Sequence, residues 1–275
     1  MANTSNQNIF AAGRRWIKPL VLAATLGSAL ALSACGGDDG VDDRLGLSKP
    51  SLRVVNAFPN SAKIDTFKNN AIFASNMDYL YAGAYIDIDD SDTTVTAALS
   101  GTNATIASSS TFKAATGHKY TWAYIAGTGA TNDGVLIDDP YEKGLFSDKS
   151  RVRSLNAAFN APNVDVYVLQ AGQQLSTSTP TFSAVQFKSA VPASGQDSID
   201  IDGGQVTVVV TDAGSKTPLF TSTQTSLSHN ADWLITVLPQ QGIAAVVPDQ
   251  VKVLVVQANN ANNAGMELTA ATSAQ

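Results

Sequence analysis

The groups able to do chemistry are few, and most lie in short stretches. "IDIDDSD" places Asp87, Asp89, Asp90 and Asp92 together, hard oxygen donors of the kind that bind Ca²⁺. A calcium loop needs Gly at its sixth position and Glu at its twelfth; counted from Asp87, those are Asp92 and Ala98. A solvated strand edge running into a hairpin explains the cluster more simply, so neither a metal nor a cofactor is expected. "STFK", Ser110 to Lys113, satisfies the Ser-x-x-Lys pattern of penicillin-recognising enzymes, but its "SDN" and "KTG" partners are missing. The two histidines, His118 and His229, have no cysteine partner and suggest no zinc site. There is no Gly-x-Ser-x-Gly, no His-Glu-x-x-His and no phosphate loop. This inventory argues against an enzyme. Tyr120, Trp122 and Tyr124 alternate along one stretch and share one face of a strand, with Tyr79, Tyr81 and Tyr85 nearby in sequence. Turned outward they would make a platform for a glycan or protein; turned inward they would be core, the plainer reading.

Cys35 is the one cysteine, so no internal disulfide can form. It follows a basic start (Arg14, Arg15, Lys18), the apolar run "PLVLAATLGSALAL" and Leu32-Ser33-Ala34. A run of 14 residues is too short for a spanning helix, which needs about 20, and reads as an export signal. "LSAC" resembles the bacterial lipobox, whose cysteine receives a diacylglycerol and becomes the first residue after cleavage. Gly36 and Gly37 precede Asp38, and this resemblance then implies sorting to the outer membrane, facing the periplasm or the cell surface. "RRWIK" loosely resembles a twin-arginine signal; the general export route is preferred.

Removing residues 1–34 takes the formal net charge from −6 to −9, because Arg14, Arg15 and Lys18 leave with them. Such a chain lacks the basic stripe that nucleic acid needs. It has equally little attraction for anionic lipid, so membrane attachment falls to the acyl chain on Cys35.

Behind these residues stands a repeat. "RVVNAFPNSAKID" (53–65) and "RSLNAAFNAPNVD" (153–165) align at an offset of 100, pairing Arg53 with Arg153, Asn56 with Asn156 and Asp65 with Asp165. "YIDIDDSDTTVTAAL" then matches "SIDIDGGQVTVVVT" at 113, and "KYTWAYIA" matches "DWLITVLP" at that same 113. The second copy is therefore expected to carry one insertion of 13 residues between Asp165 and Ile199, with "QQLSTSTPTFSAV" as its expected place. Asn56, Asp65, Asn156 and Asp165 sit where the chain must reverse, and are expected to bond backbone groups in turns. Short runs rich in Val, Ile, Thr, Tyr and Phe alternate with Gly, Asn, Asp, Ser and Pro, which predicts strands throughout.

The opening motifs and the Gly-containing hairpins resemble a bacterial envelope module named "domain of unknown function 4397", over roughly residues 51–257. That resemblance implies a β-sandwich in the envelope and no particular activity. The expected plan is all-β, two tandem immunoglobulin-like antiparallel sandwiches. The expected limits are a signal peptide (1–34), an acylated acidic linker (35–50), two sandwiches (51–149 and 150–258) and a disordered tail (259–275). The function expected is a non-catalytic lipoprotein binding an envelope protein or glycan; the alternative is a carbohydrate- or peptidoglycan-active hydrolase.

Overall fold

The computed structural model describes residues 41–258 and 262–272. The signal segment and Cys35 lie outside them. Apart from one helical turn, Val41–Arg44, and two short 3-10 segments, the regular structure is strand.

Each half of the chain forms two main sheets with matching strand order, and the first half adds a two-stranded ribbon, Asp92–Thr93 beside Phe112–Lys113. In the first half, Ala71–Met77, Ile64–Lys68, Val95–Leu99 and Thr105–Ser108 form an outer antiparallel sheet. Asn132–Pro140, His118–Ala126, Ser51–Asn56 and Ile86–Asp87 form an inner one. In the second half, Phe182–Gln186, Asn163–Gln170, Gly204–Asp212 and Pro218–Thr221 build the outer sheet. Val251–Gln257, Asp232–Pro239 and Ser150–Asn156 build the inner one, with Ser189–Val191 and Ile199–Ile201 along its edge. Antiparallel pairing dominates. Each inner sheet also has one parallel ladder, Ser51–Asn56 beside His118–Ala126 and Ser150–Asn156 beside Asp232–Pro239.

The inner strands are buried on both faces, and period-two alternation decides what each face meets. Leu52, Val54, Tyr120 and Trp122 point into the first sandwich core. Val152, Trp233, Ile235 and Val253 point into the second. The intervening residues meet across the halves: Val55, Ala123, Ile125 and Ile137 pack on Leu155, Leu234, Leu238 and Leu254. The result is four stacked layers with three apolar seams. Burying a side chain such as Leu155 or Leu238 contributes about 1.5–3 kcal/mol, so this middle seam is a substantial bond between the halves. At one place a glycine is required: a Cβ on Gly134 would lie 2.6 Å from the Trp122 ring, so the ring packs over a bare backbone.

The tail expected to be disordered is instead partly folded. Met266–Glu267 pairs with Leu254 and Val255. Ala264 bridges to Tyr81 and Ala270 to Ser222. Its polar composition hid this, because the segment is held by Glu267, which accepts from Tyr79 Oη at 2.8 Å and from Lys252 Nζ at 2.9 Å.

Candidate functional site

The repeated Asn and Asp lie at corresponding places and face their own halves. The Asn56 and Asn156 side chains are fully buried. Asn56 Nδ2 donates to Met77 O at 3.1 Å and Asn156 Nδ2 to Val185 O at 3.1 Å, each reaching across its turn to the outer sheet. Asp65 accepts from Asn76 N at 2.8 Å and Gly101 N at 2.9 Å. Asp165 accepts from Ala184 N and Gly214 N, both at 2.8 Å. Asn76 and Ala184 have φ of 53° and 51°, and both glycines have φ of 78°. Each carboxylate thus pins one left-handed residue and one hairpin of neighbouring strands. The backbone bonds from Asn76 and then Gly101 hold the Asp65 carboxyl below its usual range. These pairings also resolve the insertion. Asn76 corresponds to Ala184, an offset of 108, so eight of the extra residues enter between Asn163–Gln170 and Phe182–Gln186 and five follow later.

The aromatic face turns inward. Tyr120, Trp122 and Tyr124 are 2% exposed or less and fill the first sandwich core, so they offer no platform to a partner. Burial pushes the Tyr120 and Tyr124 hydroxyls up to about 12. Period two fixes which residues share a face, but not whether that face is the wet one. Asp87, Asp89, Asp90 and Asp92 are all exposed and do not converge; among the described residues no group of three or more His, Cys, Asp or Glu is placed to hold a metal. The candidate calcium set is therefore four separate surface carboxylates strung along two short strands and their turn. His118 Nδ1 lies 2.7 Å from Asp138 Oδ1 at the start of its strand. Ser110 and Lys113 are both exposed in the loop and short strand ahead of it.

Between the inner sheets, at one end of the middle seam, lies a cluster of buried charge that sequence reasoning did not single out. Arg151, fully buried, meets Asp139 at 2.8 Å, Asp232 at 3.5 Å and Asp197 closer still. Its guanidinium stacks 3.9 Å over the Tyr141 ring, and Lys119 Nζ lies 3.9 Å from the same ring. Arg53 donates to Thr121 Oγ1 at 2.9 Å and covers the Tyr85 ring at 4.5 Å. Arg153 reaches Asp139 at 3.4 Å and donates to Ala193 O at 3.0 Å. Burial works against ionisation of Asp139, but Arg151 and Arg153 outweigh it and hold its carboxyl below the usual range. For Asp197 burial wins, and its carboxyl is pushed up. Burial also opposes the charge on Arg151, yet Asp232, Asp139 and Asp197 together raise its pKa. The strand "SRVRSLN" carries its two arginines at period-two spacing with only Val152 and Leu155 as apolar residues, so its composition hid the burial that makes charged partners necessary.

One large open cleft lies on the second half. It measures about 990 Å³ and runs between the connection 171–181 and the turn carrying Asp200 and Asp202. Its walls carry amides and hydroxyls, from Gln170, Gln173, Gln174, Thr177, Thr179 and Thr181, beside the apolar Val168, Leu169, Pro180 and Ile201. The connection is tied down internally. Gln170 N donates to Gln173 Oε1 at 2.9 Å, Ser178 Oγ to Gln174 O at 2.8 Å and Gln170 Nε2 to Asp202 O at 2.8 Å. Lys149 and Asp202 form an exposed ion pair at the rim, and that hydrogen bond holds the Asp202 carboxyl low.

Stacked sheets of this kind, scaffolded by a turn motif in each half, define a class of β-sandwich module. Residues 50–167 match the model of a family described as "Domain of unknown function (DUF4397)". The matched span covers the whole first sandwich and the opening strands of the second. No curated protein matches the chain.

Proposed function

We propose that the protein is an exported lipoprotein, acylated on Cys35 and held at the outer membrane, in which a duplicated sandwich presents a glycan-binding cleft and does not catalyse. One observation carries the binding reading. The first half joins its two outer strands, Ile64–Lys68 and Ala71–Met77, through Asn69 and Asn70 alone, whereas the second half uses the connection 171–181 at the same point. That connection walls the cleft. Structure shared by both copies serves the scaffold; structure gained by one copy, pre-organised and lined with hydrogen-bonding groups, supports recognition of a hydroxyl-rich ligand. Glycoside hydrolysis by general acid would need a carboxyl raised toward neutrality, and Asp202 is shifted the opposite way.

The test is titration of the full chain with peptidoglycan fragments and lipopolysaccharide core oligosaccharides, beside a variant in which 171–181 is replaced by Asn-Asn. Saturable binding lost in the variant, at unchanged melting temperature, is expected. Absence of binding by the wild type overturns the glycan reading, and retention by the variant removes the cleft from it. Release of shortened saccharide would instead establish a hydrolase.

A further inference from the structure

Large apolar side chains stand in solvent at one pole of the molecule. Val41, Leu45 and Leu47 are exposed on the first described turn, and Leu145 and Phe146 on the loop that follows the first sandwich; Phe146 is 94% exposed and Leu47 67%. The two segments belong to one patch, because Arg44 Nη1 donates to Leu145 O at 2.9 Å and Ser147 O at 3.0 Å. Arg44 also reaches Asn230, just ahead of Asp232–Pro239, so the patch lies where the inner strands of the second half begin. Singly exposed apolar residues need no explanation, but five on two segments clasped together do.

We propose that this pole is a membrane-contact surface, with Leu45, Leu47, Leu145 and Phe146 dipping into the bilayer interface beside the lipid anchor. The argument rests on the Cys35 acylation proposed above. Six residue steps separate Cys35 from Val41, a reach of about 20 Å at most even if fully extended. A chain anchored at Cys35 must therefore hold the Val41 end of the molecule against the membrane. The pole facing lipid is then the one that exposes Phe146. Partial insertion of such side chains adds a second membrane signal to the acyl group, the combination that makes anchoring stable. It does so through apolar area, as an acidic protein must. The patch also fixes orientation, since an anchor by itself would leave the body free to tumble about the linker.

The full acylated chain carrying Phe146→Trp tests this in vesicles of phosphatidylcholine with bromine-labelled acyl chains. Trp122 and Trp233 are buried, so the added indole dominates the change in signal. Flotation with the vesicles, a blue shift and bromine quenching of the added emission are expected. Flotation without blue shift or quenching overturns this inference and leaves the anchor standing. Failure to float, or flotation undiminished by Cys35→Ser, removes the acyl-anchor reading and this one with it. A blue shift without vesicles that grows with protein concentration would assign the patch to a second copy of the chain, and also overturns it.

Discussion

Replacing Arg151 by Met keeps the length and apolar stem of the side chain and removes its charge. In the native protein the guanidinium faces three carboxylates, at 2.8 Å from Asp139, 3.5 Å from Asp232 and in direct contact with Asp197. Breaking a buried ion pair by deleting one partner costs about 3–5 kcal/mol, because the other charge stays buried and uncompensated. At about 2–4 °C per kcal/mol for a protein of this size, the melting temperature should fall by roughly 6–20 °C. Scanning calorimetry at neutral pH measures this directly. The pH dependence adds a second check. Asp139 has a lowered pKa in the folded state, so its share of stability is present above the unfolded carboxylate range and is lost as pH falls through the folded value. In the variant a protonated Asp139 no longer needs the guanidinium, and the deficit should narrow as the solution approaches pH 4, about the unfolded carboxylate value. Asp197 runs the other way in the native protein: burial raises its carboxyl, so the folded state takes up its proton more readily and its contribution grows as pH falls. Adding Asp139→Leu should recover part of the loss at neutral pH. A variant that melts within about 2 °C of wild type, less than the ~1 kcal/mol equivalent, would refute the assignment of Arg151 as the keystone of the seam.

Two further outcomes follow from the scaffold. Asp165→Ala orphans the Ala184 and Gly214 amides and should cost about 1–3 kcal/mol in urea denaturation; any loss of ligand binding should then return when the sample is cooled below its transition. Removing residues 262–275 should lower the melting temperature and leave Lys252 without the Glu267 carboxylate, an ion pair with a side chain only 5% exposed; Glu267→Gln should reproduce a smaller part of that loss.

Strand content was legible in the sequence because "VDVYVLQ" and "VTVVV" combine β-branched residues with turn punctuation. Asn56 and Asp65 were legible as turn residues because the same types recur at Asn156 and Asp165. The direction in which a face points was not legible, and the aromatic strand shows why. Alternation groups Tyr120 with Trp122 and Tyr124, while burial depends on which sheet lies opposite. The middle seam left a trace that went unread. In "DWLITVLP" and "VKVLVVQ" both alternating sets are largely apolar, the pattern of a strand covered on both sides. The Glu267 clasp left none, for a single carboxylate in a polar stretch finds its partners only in three dimensions.

The same clasp sets an order of events for folding. Tyr79 and Glu267 are 188 positions apart, and the bridge from Tyr81 to Ala264 is almost as distant. Contacts so remote in sequence cannot form early, and they slow folding because a long loop must close before they are rewarded. Because any chain is made N-terminus first, the first sandwich emerges with its inner face uncovered and waits for nearly the whole second half. The interval in which Val55, Ile125 and Ile137 stand in water is when a holding chaperone would be most needed, and it closes when Val251–Gln257 brings Leu254 and Val256 into the seam, just ahead of the clasp.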